Sequence, residues 1–389
     1  MTEEFDRVID RRGTASLKWD YSRRFTGLEA LLPLWVADMD FPSPPEVLQA
    51  LRRRVEHGIF GYTLEPESYF QAAMDWVLHR HGWRMQREWL LPAPGVVPAI
   101  NLSILSFSEP GDEVVIQPPV YHPFAQGIRR NGRVVAEDPL SLEGRRYSMD
   151  FALLERLIGP RTRLAILCSP HNPVGRVWER DELARLADIC LRRGLILLSD
   201  EIHCDLVLPG FRHLPTASLS EELAASTVTF LSATKTFNLA GLGGSLAVIP
   251  NPELRRRFEK TKESLWTGVA NALSTVASEA AWRHGEPWLE RLLAYIQSNY
   301  EFLVRFLEER LPEARVMPLE GTYLAWIDFR ALGLPDAQLK TRVLERAGVW
   351  LDEGPLFGAG GQGFQRLNLA CPRATLREAL ERLAGALGS

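Results

Sequence analysis

The chain has 389 residues, of which 46% are hydrophobic and 24% charged, the balance of an ordinary globular protein. Its formal net charge of -4 argues against a nucleic-acid-binding protein, and no apolar run is long enough to span a membrane. The four cysteines form no CxxC pair, so we expect neither a zinc site nor a disulfide framework. A reducing compartment fits this pattern, and with no signal-like N-terminus we expect a cytoplasmic protein.

The first part of the chain changes character near residue 45. Residues 1–44 predict an irregular arm, because the apolar piece 34–37 runs into acidic residues and prolines. From Pro45 to Gly58, apolar residues at helical spacing predict a helix, and the same spacing around 70–77 predicts a second one.

From Trp89 onward, strands and helices alternate. Short apolar, β-rich runs predict strands at 113–117, 133–136, 164–168, 195–198 and 227–231, and helices such as 179–193 lie between them. This alternation predicts an α/β fold with a mostly parallel sheet covered by helices. Ligands of such sheets bind beyond the carboxyl ends of the strands, where Tyr121, Asn172, Asp200 and Lys235 all fall.

The last third of the chain is mainly helical. After a strand at 245–249, helices are predicted at 252–266, 274–284 and 287–311, then strands at 321–329 and 366–370 and a final helix. We therefore predict a large domain over 45–285 and a smaller α+β domain over 286–389, which the arm of residues 1–44 joins.

A hydroxyl-rich turn, Ser232 to Asn238, contains Lys235 between a hydrophobic run and a glycine-rich segment. A lysine at a strand end can form an imine with a phosphorylated aldehyde while Ser232 and Thr234 bind the phosphate. Pyridoxal 5′-phosphate (PLP) is the usual such aldehyde. A single lysine is more often a solvated surface residue, so this hypothesis needs support from the rest of the chain.

Three loop residues match the needs of a pyridine ring. Asp200 could keep the ring nitrogen protonated, although Asp200 by itself is more simply explained as a turn or helix-capping aspartate. Asn172 could donate to the ring oxygen, although Asn-Pro is also a turn signal. Tyr121 could stack on the ring or be an ordinary packed aromatic residue.

Two further features match the anionic ends of the cofactor and the substrate. Gly95, Val96 and Val97 open an apolar helix, whose first N–H groups could bind a phosphate. Arg366 and Arg373 flank a predicted strand, and arginine binds carboxylates with two parallel hydrogen bonds. Either arginine could instead form a surface ion pair.

Together these stretches resemble the fold-type I PLP enzymes of the aspartate aminotransferase superfamily (class I/II), and more narrowly the MalY/PatB-type cystathionine β-lyases. The stretches are 5–13, 35–41, 60–63, 94–98, 171–175, 200–205, 234–238 and 366–373. The resemblance implies a mostly parallel sheet of the seven-stranded type between helices, with a smaller α+β domain.

For the cofactor, the resemblance implies that Lys235 forms the Schiff base with PLP and that Asp200 pairs with the ring nitrogen. It also implies that Asn172 binds the ring oxygen and that Tyr121 stacks. The residue before the lysine is usually serine in this family and is Thr234 here, which keeps the hydroxyl.

For the substrate, the resemblance implies that Arg366 binds the amino-acid carboxylate, with Trp35 and Ala37 nearby. It further implies that Tyr62 reaches the phosphate in a neighbouring subunit, so that a homodimer shares its active sites. Many aminotransferases carry a phosphate-binding arginine eight residues after the lysine, where this chain has Gly243.

The activity implied is α,β-elimination from a cysteine S-conjugate to pyruvate, ammonia and a thiol. An aminotransferase would use the same residues, and a PLP-binding regulatory protein without turnover is a more distant alternative. A nicotinamide oxidoreductase is disfavoured, because the GxGxxG pattern at 358–363 precedes a predicted strand rather than opening a helix.

Metal binding is not expected. His79 and His81 lie near a helix end, with no carboxylate or cysteine spaced to join them. His203 is interpreted as a residue that supports the site, without a catalytic role.

Overall fold

The computed structural model describes residues 3–268 and 270–388. Their α-helices are α1 (Glu3–Asp6), α2 (Ser22–Thr26), α3 (Pro45–Glu56), α4 (Glu67–His81), α5 (Val96–Phe107), α6 (Pro123–Arg130), α7 (Phe151–Leu157), α8 (Arg180–Arg193), α9 (Glu221–Ala225), α10 (Ala233–Thr236), α11 (Pro252–Ser264), α12 (Ala272–His284), α13 (Glu286–Arg310), α14 (Asp336–Lys340) and α15 (Arg373–Leu387). Their strands are β1 (Leu32–Pro33), β2 (Leu90–Ala93), β3 (Glu113–Ile116), β4 (Val134–Glu137), β5 (Ser141–Glu143), β6 (Arg146–Ser148), β7 (Thr162–Cys168), β8 (Ile196–Asp200), β9 (Thr227–Leu231), β10 (Ser245–Val248), β11 (Arg315–Val316), β12 (Leu324–Asp328), β13 (Val349–Trp350), β14 (Asp352–Glu353) and β15 (Phe364–Asn368).

A seven-stranded sheet forms the centre of the molecule, in the order β2-β10-β9-β8-β7-β3-β4. Strand β10 runs antiparallel to both of its neighbours, and the other pairs are parallel. All five residues of β9 are buried, as expected for a strand with helices on both faces of its sheet. The predicted mostly parallel sheet is confirmed.

Helix α5 shows how the sequence sets one wall of the future site. Its residues are apolar nearly all round, which is typical of a helix buried on several sides. It packs against α11 and the sheet, with Ala99, Ile100 and Phe258 almost completely buried in one core cluster. Each such burial of a large apolar side chain contributes about 1.5–3 kcal/mol, so the start of α5 is held firmly against the sheet.

Helix α8 covers the opposite face of the sheet. The helix predicted over 179–193 begins at Arg180, because Glu179 is its N-cap and forms a capping box with Glu182. It ends at Arg193 and is capped by Gly194, whose φ of 67° lies in the left-handed region that favours glycine. Leu183 and Leu186 are buried against this face.

The C-terminal part of the chain forms a smaller antiparallel sheet, in the order β11-β12-β15-β14, with α13 and α15 packed together beside it. The N-terminal arm reaches this part through β1, which pairs in parallel with β13. The domain boundaries after residues 44 and 285 remain predictions.

Several boundaries differ from those predicted. The arm is not entirely irregular, since it contains α1, α2 and β1. The strand predicted over 321–329 begins only at Leu324, because Thr322 has a φ of 72° and cannot lie in an extended strand.

Among the described residues, no helix is long and apolar enough to cross a membrane.

Candidate active site

A cavity of about 260 Å³ lies beyond the carboxyl ends of the central strands. Parallel pairing places Cys168, Asp200 and Phe230 side by side at the ends of β7, β8 and β9. Most of the predicted site residues line this cavity: Ala37, Gly95, Val96, Val97, Tyr121, Asn172, Asp200, Thr234 and Lys235. Residues far apart in sequence therefore meet where the parallel sheet predicts a ligand site.

Lys235 lies in the single turn α10. Ser232 caps this turn by accepting a hydrogen bond from the Thr234 N–H at 3.1 Å. The half-buried Nζ of Lys235 donates to the carbonyl oxygen of Ala37 at 2.5 Å. Burial is the main cause that lowers the pKa of Lys235 to about 8, so much more of the amine is neutral near physiological pH than in an ordinary lysine.

Asp200 is the last residue of β8 and is almost completely buried. Its Oδ1 accepts a hydrogen bond from the Ile202 N–H at 3.1 Å. Burial outweighs this bond and raises the pKa of Asp200 to about 7. A cation facing the carboxylate in the cavity would restore its charged form.

Asn172 is oriented by Arg366 rather than by the turn alone. The Nη1 of Arg366 donates to Asn172 Oδ1 at 2.9 Å. Because a guanidinium has only donors, the amide oxygen must face it, and the Nδ2 of Asn172 is left as a donor for the cavity. Arg366 is buried and does not itself line the cavity.

Arg366 has a partner that was missed in the sequence. Its Nη2 donates to a carboxylate oxygen of Asp352 and, at 2.8 Å, to the carbonyl oxygen of Trp35. Asp352 belongs to no motif, but the antiparallel pairing of β14 with β15 places it opposite Arg366. Arg373, the other candidate, instead donates to Asn299 and Ser298 and is not part of this arrangement.

The wall at Gly95–Val97 can bind an anion. The first N–H groups of α5 are at the cavity, together with Thr234. Gly243 lies against Pro94 with a φ of 71°, and a Cβ there would come within 2.9 Å of the Pro94 oxygen. The position is thus restricted to glycine, and the groups at this wall that can bind an anion are backbone N–H groups and the Thr234 hydroxyl.

Tyr121 lines the cavity, and burial raises its pKa, so its phenol is neutral. His203 also lines the cavity, and burial is the main cause that lowers its pKa to about 3. His203 is therefore a neutral group, packed edge to face on Tyr323 at 5.9 Å. The hydroxyl of Tyr323, which the sequence analysis did not single out, donates to the Ala37 oxygen at 2.9 Å.

Three predicted residues besides Arg366 lie away from the cavity wall. Ser232 is used inside the protein, since its hydroxyl bonds to the Gly244 oxygen at 2.7 Å. The ring of Trp35 stacks on Trp350 at 4.2 Å, so only its carbonyl takes part through Arg366. Tyr62 is 98% exposed in the single chain.

The prediction that no carboxylate or cysteine joins His81 is wrong. In the described part of the chain, ligand atoms of His81, Cys204 and Asp205 lie within 4.8 Å of one another. Asp205 lies 124 residues further along the chain and Cys204 directly precedes it, so sequence spacing could not connect either residue with His81. Asp205 already accepts bonds from His81, Trp76 and Thr236, so we assign no metal to this group.

Comparison with known proteins identifies the class. Residues 30–383 match the family model described as aminotransferase class I and II, and the chain belongs to this family. It is similar to cystathionine β-lyase PatB of Bacillus subtilis (strain 168), with 44% identity over 98% of this chain and 99% of PatB. The predicted family and fold are thereby confirmed.

Two solved structures are similar over almost the whole chain. Cystalysin from Treponema denticola, which contains PLP, is 40% identical with a TM-score of 0.95, over 98% of both chains. A PLP-bound aminotransferase candidate from Clostridium difficile 630 is 42% identical with a TM-score of 0.97, over 99% of both chains.

The residues of this cavity fit a PLP group. A protonated pyridine nitrogen would supply the cation that the buried Asp200 requires. The Nδ2 of Asn172 can donate to the ring oxygen, the start of α5 can bind the phosphate, and Lys235 offers an amine to the aldehyde.

Proposed function

We propose that this chain is a PLP-dependent carbon–sulfur β-lyase, which converts a cysteine S-conjugate into pyruvate, ammonia and a thiol. One observation carries the proposal: a single cavity places the Lys235 amine, with a pKa lowered to about 8, together with the buried carboxyl of Asp200. The similarity to a cystathionine β-lyase over nearly the whole chain supports the choice of reaction.

The chain's own residues would prepare the substrate for elimination. When bound, PLP withdraws electrons from Cα of the amino acid. Asp200 holds the proton on the ring nitrogen, and Asn172 donates to the ring oxygen. Tyr121 contributes a neutral ring at the cavity wall. The α5 N-terminus and Thr234 hold the phosphate end in place.

Lys235 is assigned as the general base. Its neutral amine removes the Cα proton, a step that contributes typically about 10²–10⁴-fold to the rate. The C–S bond then breaks, and the thiolate leaves with the bonding electron pair. Hydrolysis of the remaining enamine yields pyruvate and ammonia.

Arg366 is assigned to the substrate carboxylate. Bonds to Asp352, Asn172 and the Trp35 carbonyl hold its guanidinium in one orientation. Its Nε has no hydrogen-bond partner among the described residues and remains as a buried donor. A guanidinium held in this way is suited to bind a carboxylate in one orientation.

The pH profile should report the state of Lys235. Only the neutral amine accepts a proton, and burial lowers its pKa to about 8. We expect kcat to fall about tenfold per pH unit below this pKa and to level off above it. Initial rates of thiol release with saturating S-methylcysteine would measure this. A rate that is constant between pH 6 and 8 would contradict the assignment.

An aminotransferase is the second candidate function, because the family name and the shared residues both allow it. A lyase releases the thiol without an acceptor, whereas an aminotransferase needs a 2-oxo acid and makes a new amino acid. Product analysis with and without 2-oxoglutarate distinguishes the two. New glutamate in proportion to substrate consumed would replace the lyase proposal.

We also propose that two copies of the chain form a dimer around Tyr62. The dimer patch consists of Ile59, Phe60, Tyr62, Leu64, Leu265 and Trp266, all exposed. A β-bridge between Thr63 and Ala270 brings its two segments together. Exposed apolar groups on adjoining segments are typical of a protein interface.

Shared active sites can be tested by mixing two defective variants. Lys235→Ala and Tyr62→Asp should each lose activity, and co-refolding them should restore it in mixed dimers, which then contain one intact site. Light scattering should give twice the 43.9 kDa of one chain. No recovery in mixed dimers of confirmed composition would place Tyr62 outside the partner's site.

A further inference from the structure

The residue after the lysine is anchored away from the cavity. Thr236 is completely buried and does not line the cavity, whereas Lys235 does. The Oγ1 of Thr236 donates to Asp205 Oδ2 at 2.9 Å. The two neighbours thus point to different environments, one to the site and one to the protein interior.

Asp205 is a buried carboxylate that collects donors from several elements. Besides Thr236, it accepts from Nε2 of His81 at 2.8 Å and from Nε1 of Trp76 at 3.1 Å, both on α4. Burial by itself raises the pKa of Asp205, but the hydrogen bonds from His81 and Thr236 outweigh it and the pKa is lowered. Asp205 is therefore charged, and bonds to a charged acceptor are the stronger kind.

The buried polar side chains around Asp205 extend as far as the residue next to Asp200. The ring of His81 packs edge to face on His213 at 5.3 Å, and Nε2 of His213 lies 2.8 Å from an oxygen of Glu201. Glu201 directly follows Asp200 in the chain. Lys235 and Asp200 both line the cavity. The residue that follows each of them, Thr236 and Glu201, is bonded in this buried region.

The backbone around Lys235 depends on attachments at both ends of its short helix. Helix α10 contains only four residues, and a single helical turn is too short to be stable by itself. Its first end is held by the Ser232 cap and its last residue by the bond from Thr236 to Asp205. The backbone of Lys235 lies between these two attachments.

We propose that Thr236 and Asp205 are positioning residues, which hold the backbone turn of Lys235 so that its amine stays buried at the cavity wall. This positioning role is independent of the reaction that the protein catalyses. Only the measurement of kcat rests on the proposed function. Neither residue contacts the cavity, so neither is assigned a catalytic role.

The test uses Thr236→Val, which keeps the shape of the side chain and removes the hydroxyl, and Thr236→Ser, which restores it. Thr227→Val is the matched control, because Thr227 is equally buried and donates to the Leu223 oxygen at 2.7 Å, in a hydrogen bond unconnected with the lysine. All three variants are compared as full-length holoenzymes by thermal unfolding before any other measurement.

In Thr236→Val, we expect kcat to fall about tenfold with little change in KM, because small misplacements of a reacting group are costly. The pH midpoint of the PLP absorbance band should shift by about half a unit or more, the equivalent of a threefold change in proton affinity. In protein stripped of PLP, labelling of Lys235 by an amine reagent at pH 8 should slow about twofold, because the less buried amine holds its proton more tightly.

Thr236→Ser should behave like the wild type in all three measurements. The proposal is overturned if Thr236→Val matches Thr227→Val in midpoint and labelling rate, even when kcat falls. Absence of lyase activity in the wild type would refute the proposed function alone, because the labelling of Lys235 needs neither turnover nor cofactor.

Discussion

Replacing Lys235 with alanine should lower kcat for thiol release by at least about 10²–10⁴-fold, the usual contribution of a general base. The loss should be larger than this if the same amine also holds the cofactor. The structural reason is that Lys235 brings an amine into the cavity that Asp200 also lines, where burial lowers the pKa of the amine and makes its neutral form accessible. Pyruvate formation measured by a coupled dehydrogenase assay would follow the effect.

A second readout identifies the bond itself. Borohydride reduction of the wild-type holoenzyme should add a pyridoxyl phosphate mass to the peptide that contains Lys235, and the Lys235→Ala protein should give no such peptide. Lys260→Ala is a suitable control, because Lys260 is exposed on α11. A labelled peptide elsewhere in the chain would reject the assignment of Lys235.

Replacing Arg366 with glutamine should raise KM for amino-acid substrates at least about 30-fold. This corresponds to a loss of about 2 kcal/mol of binding free energy, the usual cost of removing one partner of a buried charge pair, here the pair with the substrate carboxylate. The variant should also be less stable by about 3–5 kcal/mol, because the buried carboxylate of Asp352 loses its partner. Steady-state kinetics and chemical unfolding would measure the two effects separately.

The double variant Arg366→Gln with Asp352→Asn separates binding from folding. It removes the unpaired charge and should regain much of the stability, while KM stays as high as in the single variant. A KM within about threefold of the wild type in a folded Arg366→Gln protein would assign the substrate carboxylate to another residue.

The parts of the site that could be predicted from sequence are those whose chemistry is local. Asp200 follows a buried apolar run, Lys235 lies in a hydroxyl-rich turn, and Gly95 opens an apolar helix. In a parallel sheet, such strand-end loops must meet at one edge, so their assembly follows from the alternation of strands and helices.

The parts that were missed depend on register and on long-range packing. Asp352 meets Arg366 because β14 pairs with β15, and Asp205 meets His81 because the loop after β8 packs on α4. A motif identifies a residue but not the direction of its side chain. For this reason Trp35 was expected at the substrate, although its ring stacks on Trp350.

Ser232 and Thr234 illustrate the same limit at short range. Both hydroxyls flank the lysine and were predicted to bind phosphate. The cap of α10 turns Ser232 inward to the Gly244 oxygen, whereas Thr234 lines the cavity. Only the backbone conformation of the turn distinguishes the two.

The central claim is tested most directly by incubating the purified protein with L-cystathionine and PLP, with no 2-oxo acid present. We expect pyruvate, ammonia and homocysteine in equal amounts over many turnovers. A protein that binds PLP through Lys235 yet forms no pyruvate from cystathionine or from any S-substituted cysteine would contradict it.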